Sequence, residues 1–181
     1  MEEIQKISLE KMTHRTKWTI LLITFGVMSF FWLFLGVTYG LSPLSFGIWK
    51  WIALVSGCMA IIISVHEALH GLLFWVFGGK VKFGAKLKTS VGPIFWATSD
   101  KLFSKRQYRI ISLAPQILTL TCVLIIFFAE LPTVYEIGLW IIAVGNLCGG
   151  GFDIYISCIL DKFPAGALFQ DKQDGVQVYV K

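Results

Sequence analysis

Charge is scarce in this chain: only 15% of its 181 residues are charged, against 56% that are hydrophobic. So few charges cannot cover a soluble domain of this length. The composition, with a mean hydropathy of +0.72, therefore specifies a multi-pass integral membrane protein. Histidine is scarcer still. Three in the whole chain exclude histidine-rich di-iron oxidation, and they argue against rhomboid-like Ser/His chemistry because His14 lies in a charged segment ahead of the first apolar run. The four cysteines, Cys58, Cys122, Cys148 and Cys158, have no C-x-x-C spacing; no disulfide framework is implied and they read as small buried hydrophobes. There is no nucleic-acid motif, so the net charge of +5 is first a topology signal. No small-residue cleavage site follows the N-terminal segment, and the first apolar run is too long for a signal peptide, so it is expected to stay in the mature protein.

What remains is long apolar runs. Their lengths predict four transmembrane helices, at about 18–39, 49–77, 110–129 and 137–160, each able to cross a hydrocarbon core of about 30 Å. Gly40-Leu-Ser-Pro-Leu-Ser45 breaks the first run from the second. Between the second and third lie Lys80, Lys82, Lys86, Lys88, Lys101, Lys105, Arg106 and Arg109 against a single acid, Asp100, which places that connection in the cytoplasm; the Glu130–Glu136 connection has no Lys or Arg and is external. Both termini are then cytoplasmic. The fold class is mainly α, with residues 1–163 as the four-span domain.

Two stretches carry a strand period instead. Val81–Lys88 alternates apolar and polar residues, Thr89–Pro93 supplies turn chemistry, and Ile94–Thr98 can return. The segment is a small cytoplasmic β-hairpin or a basic, lipid-facing connector. The tail, residues 164–181, reads as strand, turn, strand. It could act as a lid or substitute strand beside a site, or simply finish the fold.

The chemistry sits in Ser64-Val65-His66-Glu67-Ala68-Leu69-His70-Gly71, inside the second run. His66 and His70 are one helical turn apart and share a face, so two imidazoles can meet one cation. Glu67 flanks that face, where its carboxylate can serve a water as general base, the H-E-x-x-H arrangement of zinc hydrolases. An unpaired carboxylate in hydrocarbon surroundings is costly, so the bland reading of a chance motif is the weaker one.

Zinc needs a third protein ligand. Glu130 and Glu136 are at the wrong end of their spans. Asp153 lies about sixteen residues into an inward-running segment and His66 about fifteen into another, so the two are at similar depth. Gly149-Gly150-Gly151 just before Asp153 permits unwinding or close approach of helices. Cys148 is the reserve donor. Asn146 could hydrogen-bond a ligand or a substrate carbonyl, or serve packing alone.

His66-Glu67-Ala68-Leu69-His70 in an early span, a β-rich segment behind it and Asn146 to Asp153 in a later one resemble the site-2 protease type of intramembrane zinc metalloprotease. More closely, the chain is similar to the small four-span zincin peptidases of a bacterial domain of unknown function. The likeness runs from Val65 to the C-terminus, through Ser112-Leu-Ala-Pro115 and the tail. It implies one Zn2+ on His66, His70 and Asp153, Glu67 as base, cleavage of a membrane protein or peptide substrate in or beside the bilayer, and residence in a bacterial cell membrane. Site-2 proteases usually present the acid as Leu-Asp-Gly after an Asn-x-x-Pro element; here it stands as Gly-Phe-Asp153-Ile with no proline and no PDZ-like domain. Two rival readings use the same residues: a metal-binding transporter or channel, against which stands the lack of repeated halves, and a catalytically silent binding protein, against which stands the intact Glu67.

Overall fold

The computed structural model describes residues 2–7, 14–40, 47–86, 94–173 and 175–180. Residues 41–46 of the first linker, the Lys88 end of the expected strand, the Thr89–Pro93 turn and Asp174 lie outside the described residues. Two single helices, α1 (His14–Tyr39) and α2 (Ile48–Val76), are long and apolar enough to cross a membrane. Two more segments pass only as bent pairs. α3 (Lys105–Leu113) and α4 (Gln116–Phe128) meet at 41°, and α5 (Thr133–Gly149) meets α6 (Gly151–Ile159) with its 3-10 extension (Leu160–Lys162) at 45°. Among the described residues the protein is thus mainly helical, with two helices long and apolar enough to cross a membrane, or up to four such spans if each bent pair is one. Large apolar side chains face outward along these helices, Phe25, Val37 and Phe128 among them, as a hydrocarbon solvent allows.

Each bend has a local cause. Pro115 has no amide hydrogen and its ring crowds the preceding turn, so α3 stops at Leu113 and a new helix starts after it. Between α5 and α6 the break falls on Gly150, whose amide still bonds back to the Asn146 carbonyl at 2.9 Å. α3 begins at Lys105, ahead of the expected start near Ile110, because Ser104 caps it: its hydroxyl accepts from the Gln107 amide while the Gln107 side chain accepts from the Ser104 amide. The basic residues 105, 106 and 109 are therefore helical, and Arg109 pairs with Asp161 at 2.7 Å.

α2 ends in a Schellman turn. The Gly79 amide bonds to the Phe74 carbonyl and the Gly78 amide to that of Trp75, both at 2.8 Å, with Gly78 at φ +78°, a left-handed value that glycine adopts without penalty. The turn throws the chain back as β2 (Val81–Lys86), which pairs antiparallel with β3 (Ile94–Ser99). β2 lies against α2 where Gly71 has no side chain: a Cβ there would come within 3.2 Å of the Val81 methyl and closer still to the Phe83 ring.

A second sheet, which includes a strand that the sequence reading did not anticipate, runs in the order β1-β6-β5-β4. β1 (Glu2–Ile7) pairs with β6 (Gly175–Val180), β6 with β5 (Leu168–Lys172), and β5 with the short β4 (Phe103–Ser104), all antiparallel. Phe169, Val176 and Val178 bury one face of this sheet against Phe74, Phe103, Tyr108, Ile111 and Ile156. The tail is thus part of a core. A second apolar cluster, Phe31, Leu35, Cys58, Ile62, Cys122 and Ile141 among others, joins α1, α2, α4 and α5 farther along the helices.

Candidate metal centre

α2, α3, α5 and α6 converge on one point between the two cores. The His66 and His70 rings project from successive turns of α2 with centroids 5.0 Å apart. From α6, Asp153 Oδ2 lies 3.2 Å from His66 Nε2 and 3.6 Å from His70 Nε2. One donor atom from each of the three residues lies within 4.8 Å of the others. The structure brings Asp153 to the two histidines; Cys148 is outside the cluster and lies instead beside α1 in an apolar groove with Thr19 and Ile23.

The far nitrogens are engaged as well. His70 Nδ1 lies 3.0 Å from the Ile111 carbonyl; a carbonyl only accepts, so the proton is on Nδ1. His66 Nδ1 lies 3.0 Å from Asn146 Oδ1 and donates to it. Both Nε2 atoms therefore point at Asp153 Oδ2 and are the nitrogens that a cation shared with this carboxylate would take, the orientation that metal-binding histidines adopt.

Gly150 permits this crowding. A Cβ on it would clash with Gln116 Nε2 at 2.7 Å and sit in ordinary contact with His66 Cε1 at 3.4 Å.

The donor set fits zinc. Metal–ligand bonds of about 2.0–2.1 Å at tetrahedral angles imply donor–donor separations of about 3.3 Å, and the observed 3.2 and 3.6 Å bracket that value. Two imidazoles and one carboxylate leave a fourth position, as catalytic zinc sites do.

A family model described as "Putative zincin peptidase" matches residues 59–168, more than half of the chain. The chain belongs to this zincin peptidase family. No curated protein and no solved structure matches it. The stretch that the zincin peptidase model covers contains His66, Glu67, His70, Tyr108, Asn146 and Asp153, whereas β1 and β6 lie outside it.

In this member of the family the cluster opens into a cavity of about 760 Å3. Glu67 lines it, half-buried, and its carboxylate accepts a hydrogen bond from the Ala97 amide of β3. The whole of β3 faces the cavity, whereas β2 contributes only Lys82 and Lys86. The packing of β2 over Gly71 and the Ala97–Glu67 bond set β3 along the cavity. The β5–β6 hairpin adds Asp171, Lys172, Gly175 and Val176 to the lining.

Two cavity residues escaped the sequence reading. The Tyr108 hydroxyl donates to Asp171 Oδ2 at 2.7 Å, and both side chains line the cavity. The available signal was strand alternation: Asp171 is two residues from Phe169 and so shares its inward face. Burial pushes the Asp171 carboxyl up from an ordinary 3.8 to about 7, although the Tyr108 hydroxyl pulls the other way. The folded state then holds a proton that the unfolded chain releases above about pH 4, and stability falls as pH rises from there to about 7. Asp171→Asn keeps an acceptor for Tyr108 and removes the titration. In chelator-treated protein its melting temperature is expected to exceed wild type by a margin that grows between pH 5 and 7 and levels off above; a margin independent of pH would contradict the assignment.

Proposed function

We propose that this protein is a zinc-dependent metalloprotease that hydrolyses peptide bonds of a membrane protein or peptide, within the bilayer or at its cytoplasmic surface. The observation that carries the reading is the meeting of His66 Nε2, His70 Nε2 and Asp153 Oδ2 on three turns of two helices, with Glu67 beside them in the same cavity. His66, His70 and Asp153 would hold one Zn2+, which when bound supplies a Lewis acid for the scissile carbonyl and an acidified water.

Glu67 is the base. It takes a proton from the attacking water as the new C–O bond forms, and returns it to the amide nitrogen as the C–N bond breaks. The Ala97 amide holds the carboxylate in place for both transfers. A peptide must be extended to be cut, and β3 offers the edge along which its main chain can pair next to the site. Lys82 and Lys86 at the cavity rim suit the anionic headgroup region of a cytoplasmic leaflet, with both termini on the same side.

The test is chemical. Purified protein is expected to contain one zinc per chain and to cleave an unstructured reporter peptide, and a chelator should abolish cleavage until zinc is restored. Protein that holds no zinc and ignores the chelator would sink the proposal.

A further inference from the structure

α4 supplies no ligand to the cluster, yet the groups around its first turn decide how one ligand is presented. Asn146 is fully buried. Its Nδ2 donates to the Pro115 carbonyl and to Thr119 Oγ1, both at 2.9 Å, which leaves Oδ1 facing His66 Nδ1 at 3.0 Å. The Thr119 hydroxyl has its own proton acceptors, Gln116 Oε1 and the Ala143 carbonyl, each at 3.3 Å, so its lone pairs are left for Asn146.

A primary amide has nearly the same shape in its two orientations. Turned over, Asn146 would aim its NH2 at His66 Nδ1, which would then have to accept. The ring proton would move to Nε2, the atom 3.2 Å from Asp153, and a protonated nitrogen cannot ligate. The Pro115 carbonyl opposes that flip and Thr119 opposes it from a second direction.

We infer that Thr119 is a positioning residue: it locks the Asn146 amide, holds His66 in the Nδ1–H tautomer and so sets the zinc affinity of the site from a helix that bears no ligand. The inference rests on the zinc reading above. It asks for a hydroxyl at position 119, not for a particular shape, so a serine should serve and a valine should not.

Two measurements on the full chain in detergent test it. Zinc affinity, by competition with a chromophoric chelator, is expected to fall at least about tenfold in Thr119→Val, the scale on which loss of an outer hydrogen bond weakens a metal site, and to stay near wild type in Thr119→Ser. The 15N-bound proton of His66 Nδ1 in zinc-loaded, histidine-labelled protein, assigned by comparison with His66→Ala, should exchange slowly with solvent in wild type and Thr119→Ser, and faster in Thr119→Val. Thr119→Ala is the second variant should valine not fold. Wild-type affinity together with unchanged exchange of the His66 proton in the variants lacking the hydroxyl would overturn this inference alone; a wild-type protein that binds no zinc would overturn the functional proposal with it.

Discussion

Glu67→Gln is expected to lower peptide hydrolysis by roughly 10²–10⁴-fold, the range a positioned general base contributes, while leaving zinc content unchanged. Glutamine keeps the length of the side chain and an oxygen that can still accept from the Ala97 amide, so the hairpin should stay where it is. What is lost is the capacity to take a proton. The comparison also separates the competing classes. An ion carrier that uses the same cluster needs His66, His70 and Asp153 but has no use for a base one residue away, and a silent binding protein has no turnover to lose. Rate measurements at saturating peptide, with metal analysis of the same preparation, check it. Glu67→Gln protein that retains zinc and full activity would remove Glu67 from the chemistry.

The parts of this protein that were legible in its sequence are those governed by short-range periodicity. His66 and His70 share a face because four residues make about one helical turn, and the apolar runs announced the helices. Asp153 was reachable by one further step, equal depth along two segments running the same way. β1 was hidden for the opposite reason: Glu2–Ile7 pairs with β6 at the far end of the chain, and nothing local to a charged N-terminal segment signals a partner so distant. The Ile111 carbonyl was hidden too, since a backbone acceptor has no letter of its own. Its availability to His70 depends on the helix stopping two residues later, ahead of Pro115. Proline at 115 was visible; that the turn before it would face a histidine was not.

The same long-range geometry makes Asp153→Ala the most damaging single change at the cluster. α6 reaches His66 and His70 through one carboxylate, and that carboxylate is placed by the bend at Gly150. Without it two imidazoles remain, too few protein ligands for a catalytic zinc. The Asp153→Ala protein is expected to emerge from dialysis without zinc and without measurable hydrolysis, yet folded, because Asp153 belongs to neither apolar core. Cys148→Ala is the control. That thiol faces the α1 groove with Thr19, Ile23 and Leu147, so its loss should leave zinc and hydrolysis intact. Metal content measured by mass spectrometry on the two variants side by side decides between the donors: zinc retained by Asp153→Ala and lost from Cys148→Ala would hand the third position to the cysteine and require α5 to rotate.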